Sequence, residues 1–295
     1  MDSKPIILSF DVEEHYRIEA AAGYDCPAPL RDDYAARMDT TTRRLLDLLA
    51  EHQATATFFI VGQIAVSHPK LVRDIHAAGH EIASHSWDHR RVHVFTPGTF
   101  AEDLHRSKDA LEQAAGVAVR GYRAPTFSIV RQTLWAIDVL AEAGFAYDSS
   151  IFPVRHDRYG IADAPRTPFQ VIGTRSRMLE LPPVTLRCLR LNVPVAGGGY
   201  FRLFPLSVME RGVRQVLKLQ PAAAMLYFHP WEFDPDQPRL PLSRLSRWRS
   251  YVGTNRSTAR LGRLLSRHRF RRAIDVAEEL HGQVLPEYRL SPDSA

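Results

Sequence analysis

The sequence predicts an α/β fold in which helices cover a mostly parallel sheet. Three observations carry this. Short apolar runs alternate with helix-like segments through the first half of the chain, the pattern of strand–helix–strand units. A length of 295 residues suits two ordinary domains or one large α/β barrel. With 45% hydrophobic and 24% charged residues, the composition is ordinary globular and excludes a disordered or collagen-like chain.

The elements follow in order. Residues 5–10 (PIILSF) read as a buried strand. Residues 40–52 read as a helix, with Leu45, Leu46, Leu48 and Leu49 on its apolar stripe and Thr40 placed to cap it. Residues 55–61 (TATFFIV) are β-branched and aromatic, hence a second strand. A short helix over 69–78 ends at Gly79, and 80–84 (HEIAS) is a third strand. Residues 96–115 give the clearest helix: Thr96 caps it, Pro97 suits its first turn, Phe100, Leu104 and Leu111 repeat correctly, and Gly116 ends it. A fourth strand over 119–122, a helix over 131–143 and a fifth strand over 145–147 complete the alternation. Beyond a loop at 150–168, residues 169–191 are β-rich, with a Pro182-Pro183 interruption. Gly197–Gly199 marks an unusual turn, 206–219 a helix, 222–228 (AAAMLYF) a late buried strand and 270–281 a final helix.

The net charge of +5 is local. Eleven arginines lie between Arg239 and Arg272 with no lysine and no acid; without them 27 basic residues face 33 acidic ones. The plain reading is a solvated helix face, since Arg256, Arg260, Arg263 and Arg267 recur at helical spacing. A polyanion-binding module is the competing reading of another class. It lacks basic/aromatic interleaving and any nucleic-acid motif, so no nucleic acid is expected as partner. Cys26 and Cys188 form no CxxC and are expected as two thiols. The first residues, MDSKPIILSFDVEE, read as a strand and not as a signal peptide. No apolar run approaches the roughly 20 residues that span a bilayer. The expectation is a soluble cytoplasmic protein without a transmembrane segment, with peripheral membrane contact left open.

The chemically capable residues sit at strand ends. Asp11 and Glu13 follow the first strand, His85 and His89 the third, Arg123 the fourth, Asp148 the fifth and His229 the late strand. In parallel α/β sheets, active sites form at the carboxyl ends of strands. His85 and His89, at i and i+4, point the same way on a helical turn and can share a divalent metal such as zinc; His89 and His93 have the same spacing. Asp11 and Glu13, at i and i+2 on extended chain, let one carboxylate bind the metal while the other acts as base. His229, behind an apolar strand, suits a general acid. Arg123, before Ala124-Pro125, can hold a carboxylate's orientation and charge.

These motifs, SFDVE, HSWDH, RAP, YDSS and LYFH, in this order resemble the polysaccharide deacetylases, carbohydrate esterase family four. The resemblance implies a distorted (β/α) barrel over residues 1–235, followed by an Arg-rich extension, 236–295, packed on or beside it. It implies metal-dependent amide hydrolysis that releases acetate from N-acetylated sugars, so an N-acetylated polysaccharide or oligosaccharide is the expected partner. In it Asp11 is the base, His85 and His89 are metal ligands, Arg123 partners the base, His229 is the acid and Asp148 orients that acid. The common pattern has two adjacent aspartates in its first motif. Here Val12 takes the second place, and Glu13 stands in as ligand, as in the branch with D-x-[DE] spacing. By the same analogy the backbone N–H of Thr126 is a second donor to the developing oxyanion. Tyr200, Phe201, Trp231 and Phe233 lie on loops near the rim as candidate substrate contacts, Tyr200 and Trp231 foremost. GGGYFR, HPWEFD and RSYVGTNRSTARLGRLL resemble deacetylases of exopolysaccharide loci linked to exosortase systems. A competing enzyme reading keeps the fold and the metal and takes a non-sugar, cyclic amide as substrate.

Overall fold

The computed structural model describes residues 4–156 and 158–289. Strand β1 (Ile6–Val12) is paired on both sides and is buried along its whole length. Its side chains alternate between two faces. Ile6, Leu8, Phe10 and Val12 join the main core, and Ile7 joins a second core on the opposite face. Ser9 and Asp11 therefore also point to that second face. This is how a hydrophobic strand delivers a carboxylate to the interior of the fold.

The other strands are β2 (Thr57–Ile60), β3 (Glu81–Ser84), β4 (Gly121–Tyr122), β5 (Tyr147–Asp148), β6 (Phe169–Ile172), β7 (Arg177–Glu180), β8 (Thr185–Cys188), β9 (Leu191–Pro194), β10 (Ala224–Phe228), β11 (Phe270–Arg271) and β12 (Glu287–Arg289). Among the described residues, ten strands make one sheet in the order β10-β1-β2-β3-β4-β5-β7-β6-β12, with β11 beside β1. Every pairing in it is parallel except β6 with β7. Strands β8 and β9 form a separate hairpin. With helices Ala28–Glu51, Pro69–Ala77, Pro97–Ala115 and Trp135–Glu142 between the strands, this is the expected α/β fold.

Register places the strand ends level with one another. Phe10 pairs with Phe228 and Phe58, Val12 with Ile60, Ile60 with Ser84, Ser84 with Tyr122, and Tyr122 with Asp148. The residues that follow these positions emerge at one rim.

Several expectations are corrected. The first helix begins at Ala28, after Pro27, and not at Thr40. Tyr34 and Met38 extend its buried face upstream through Thr41 and Thr42 to Leu45 and Leu49. Thr42 Oγ1 donates to the Met38 carbonyl at 2.7 Å, so a threonine sits in mid-helix with its hydroxyl satisfied. The segment expected as a helix over 131–143 is a 3-10 turn, Arg131–Thr133, followed by helix Trp135–Glu142. The final helix is shorter, Ala273–Leu280, because Phe270 and Arg271 pair with Ile6 and Ile7 as β11. At the unusual glycine turn, a Cβ on Gly197 would run into the Tyr227 carbonyl, so only glycine lets the backbones approach there.

Beyond residue 235 the chain adds β11, β12 and helix Ala273–Leu280, whose Ala273, Val276, Ala277 and Leu280 complete the second core. Glu81 receives the start of that helix: its Oε2 accepts from Ile274 N at 2.9 Å and Thr57 Oγ1 at 2.6 Å, and its Oε1 from Tyr147 OH at 2.8 Å. Within the Arg-rich stretch, Arg256, Arg263 and Arg267 are exposed as expected of a solvated face. Arg260 departs from it, packing on the Phe201 ring and donating to the carbonyls of Phe201 and Phe204. Cys26 is buried and Cys188 exposed, both as free thiols. No helix among the described residues is long and apolar enough to cross a membrane.

Candidate active site

Asp11 is buried at the end of β1, against a fully buried Arg123. Arg123 Nη1 donates to Asp11 Oδ1 at 2.5 Å and to Ser9 Oγ at 3.0 Å. Its Nε donates to the Ser149 carbonyl at 3.2 Å and its Nη2 to Ser149 Oγ at 3.0 Å, while Phe59 covers the guanidinium at 4.1 Å. A buried cation with this set of partners fixes the Asp11 carboxylate in one orientation.

Glu13, His85 and His89 come together with their ligand atoms within 4.8 Å of one another, all three side chains buried. The histidines are not on a helical turn. Residues 85–89 form a loop in which Ser86 (φ 66°) and His89 (φ 67°) are left-handed. The loop is pinned by Asp103, whose Oδ2 accepts from Ser86 Oγ at 2.5 Å and Trp87 N at 3.1 Å. His85 Nδ1 donates to the Arg123 carbonyl at 2.7 Å, which leaves the Nε2 lone pair for a ligand. Burial holds the His85 pKa down to about 4, so the ring is neutral, as a ligand must be. Burial would raise the Glu13 pKa, but the imidazole of His89 and those of His229 and His85 outweigh it and keep Glu13 ionised. Glu13 Oε2 lies 2.5 Å from His89 Nε2, in a contact without hydrogen-bond geometry. Two imidazoles and one carboxylate with an orphaned buried oxygen fit a divalent cation and leave a coordination position open.

His229 stands opposite. Its Nε2 is 3.9 Å from Asp11 Oδ2 and 3.8 Å from Glu13 Oε1. Its Nδ1 donates to Glu232 Oε1 at 2.8 Å. Burial alone would lower its pKa, but the hydrogen bond to Glu232 and the charges of Glu13, Glu232 and Asp11 raise it to about 9. The ring therefore holds a proton at neutral pH, as a general acid does.

The other expected site residues separate into two groups. Trp231 joins the cluster: its Nε1 donates to Glu13 Oε1 at 3.1 Å and its ring stacks on His229 at 5.1 Å. Thr126 lies just beyond Arg123 in a left-handed conformation (φ 57°, ψ 24°) after Pro125. Tyr200 lies on helix Gly198–Leu203, stacked on Phe204 at 6.0 Å. Phe201 and Phe233 are core residues, not rim aromatics. Asp148 does not reach His229. Its Oδ1 accepts from Ser150 Oγ at 2.5 Å, and burial raises its pKa to about 6 beside the buried Glu180 carboxyl.

The residues that orient His229 are ones the sequence reading passed over. Glu232 sits in the quoted HPWEFD motif, three residues beyond His229 and on the same side of a 3-10 turn, Pro230–Phe233. Arg202, in GGGYFR, pairs with it at 2.8 Å, both side chains buried. His15, stacked on Tyr251 at 5.3 Å and edge-on to Trp231 at 4.6 Å, backs the tryptophan.

Parts of this chain are similar to known proteins. Residues 25–147 match the family model described as Polysaccharide deacetylase, and residues 149–278 match a Domain of unknown function (DUF3473). A chitooligosaccharide deacetylase of Sinorhizobium fredii is 36% identical over 109 residues, which are 36% of this chain and 48% of that protein. The chain spans about half the length, or less, of the curated relatives it matches. Among solved structures, one from Mycobacterium smegmatis assigned to the polysaccharide deacetylases has a TM-score of 0.62 at 22% identity, covering 97% of this chain and 94% of its own. The PuuE allantoinase structure has a TM-score of 0.63 at 17% identity, covering 95% of this chain and 90% of its own. At these identities the two structures show a shared fold. Through residues 25–147, less than half of its length, the chain is similar to the polysaccharide deacetylases.

Proposed function

We propose that the protein is a metal-dependent deacetylase. It hydrolyses the N-acetyl amide of amino sugars in a bacterial polysaccharide or its precursor and releases acetate. The observation that carries this reading is the convergence of a two-imidazole, one-carboxylate donor set with an arginine-held Asp11 and with His229. Glu13, His85 and His89 would hold the ion, with Zn2+ the best match to N and O donors of this kind. When bound, the metal supplies Lewis-acid polarisation of the amide carbonyl and lowers the pKa of water.

The chain's own residues do the rest. Asp11 accepts a proton from the attacking water while Arg123 keeps the carboxylate aimed. The new C–O bond forms at the carbonyl carbon, and the Thr126 backbone N–H donates to the oxygen that gains charge. His229 Nε2 then gives its proton to the amide nitrogen as the C–N bond breaks. Acetate and a free amine result. Without that proton an amide anion would have to leave, so the acid is chemically required. Trp231, next to the acid, is the candidate sugar contact at this end of the site. The resemblance of the stretch from Gly197 to Leu265 to the exopolysaccharide-locus group supports an exopolysaccharide as the glycan.

The test is metal analysis of purified protein coupled to acetate release from N-acetylated chitooligosaccharides, with a small cyclic amide as a parallel substrate. Zinc near one per chain and acetate release are expected. Ring opening of the cyclic amide without acetate release from any sugar would overturn the reading.

A further inference from the structure

We infer that residues 149–278 carry the acid arm of this site, and that Arg202 is the positioning residue that ties the arm to the C-terminal segment. The inference rests on the deacetylase reading above. The site divides cleanly along the chain. Asp11, Glu13, His85, His89 and Arg123 come from the first 123 residues, and His229, Trp231, Glu232 and Arg202 all come from the region of unknown function.

The arm is a relay of fixed contacts. Glu232 is fully buried, and a buried carboxylate is tolerated only when its lone pairs and its charge are matched. Its Oε1 accepts from His229 Nδ1 at 2.8 Å and from His229 N at 3.0 Å. Its Oε2 accepts from Arg202 Nε at 2.8 Å. The remaining guanidinium nitrogens reach the C-terminal segment: Nη1 donates to the carbonyls of Ser250 at 2.7 Å and Val252 at 3.1 Å, and Nη2 to that of Arg249 at 3.3 Å.

Those carbonyls belong to the end of helix Arg244–Tyr251, where orphaned C=O groups need donors and favour a cation. The chain can come this close because Gly253 is glycine. Its φ is 72°, and a Cβ there would lie 2.9 Å from the Arg202 carbonyl oxygen. One planar, five-donor group thus joins a helix terminus to Glu232, and Glu232 to the imidazole. With Nδ1 committed to Glu232, Nε2 is the nitrogen left facing Asp11 and Glu13. Lysine has the charge but not the fork, so it cannot hold both sides at once. The relay gives a purpose to GGGYFR and RSYVG, two motifs that the metal and the base do not use.

The experiment compares wild type with Arg202→Met and Arg202→Lys. The first readout is the hydrogen-bonded Nδ1 proton of His229 by NMR, assigned by its disappearance in His229→Gln. We expect it in wild type and lost to solvent exchange in Arg202→Met. The second readout is turnover of an N-acetylated chitooligosaccharide against an aryl acetate, whose phenolate leaves without needing a proton. Arg202→Met should lower kcat on the amide about 100-fold, the scale of a general acid. KM, bound zinc and turnover of the ester should stay within about threefold, and Arg202→Lys should restore only part of the amide rate. Equal losses on both substrates, loss of zinc, or an unchanged Nδ1 signal in Arg202→Met would each overturn the inference. If Arg202→Met does not fold, Arg202→Lys carries the same comparison. A wild type that releases no acetate from any sugar would sink the deacetylase reading instead, and the NMR readout would still decide the role of Arg202.

Discussion

His229 donates its Nδ1 proton to Glu232, 2.8 Å away, and the same carboxylate oxygen accepts the His229 backbone N–H at 3.0 Å. The proposed acid and the carboxylate that holds it therefore lie three residues apart on one turn, instead of arriving from separate strands. The proposed base and acid are then supplied by adjacent parallel strands, β1 and β10, whose register sets Asp11 beside His229.

Asp11→Asn keeps a hydrogen-bond acceptor for Arg123 but removes the group that takes the proton from water. We expect kcat to fall by about 10²- to 10⁴-fold with zinc content and Tm little changed. Steady-state kinetics with metal analysis on the same preparation checks this; substantial activity in the variant would remove Asp11 from the role of base.

His85→Ala deletes one of three proposed ligand donors and also frees the Arg123 carbonyl that accepts from His85 Nδ1. Zinc retained after dialysis should drop to a small fraction of wild type, and activity with it. A variant that kept both bound metal and activity would show the ligand assignment to be wrong.

The strand-end residues were legible in the sequence because each is carried by local pattern: an apolar run buries the strand, and the next polar residue emerges at the rim. Asp11, His85, Arg123 and His229 share that logic. The Arg202–Glu232 pair does not, since its partners are 30 residues apart and meet only after β10 and helix Arg244–Tyr251 have packed. Glu232 carried a readable signal, the i+3 spacing within HPWEFD, but the fifth-strand Asp148 drew the orienting role to itself. Asp148 is instead turned to Ser150 and Glu180. The early start of the first helix was hidden for a different reason. Tyr34 and Met38 are single apolar residues among charges, and their burial depends on partners elsewhere in the fold, including the Pro238 carbonyl that accepts from Tyr34 OH at 2.9 Å. The two-residue strand β11 exists only by pairing with a neighbour, so no periodicity announces it.

Arg123→Met removes a fully buried cation and leaves the Asp11 carboxylate without its partner. Breaking a buried pair in this way costs about 3–5 kcal/mol. Urea unfolding of the metal-free protein should show that loss. A cost below about 1 kcal/mol would mean that Asp11 is held by something other than this arginine.

Glu81 offers a test of pH and stability far from the reaction. Burial raises its pKa from 4.5 to about 7, against the lowering effect of its hydrogen bonds from Thr57, Ile274 and Tyr147. A carboxyl whose pKa is higher in the folded than in the unfolded chain binds its proton more tightly when folded. Its contribution to stability is therefore complete below about pH 4.5 and is lost as pH rises through about 7. The size of the effect is on the order of 3 kcal/mol. Glu81→Gln cannot titrate, so its Tm should not carry this dependence. Between pH 5 and 8, wild type should lose several degrees relative to Glu81→Gln, following about 1 kcal/mol for each few degrees in a chain of this size. Parallel Tm curves for the two proteins across that range would mean that Glu81 is ionised in the folded state throughout, and that the start of helix Ala273–Leu280 rests on a charged cap and not a neutral one.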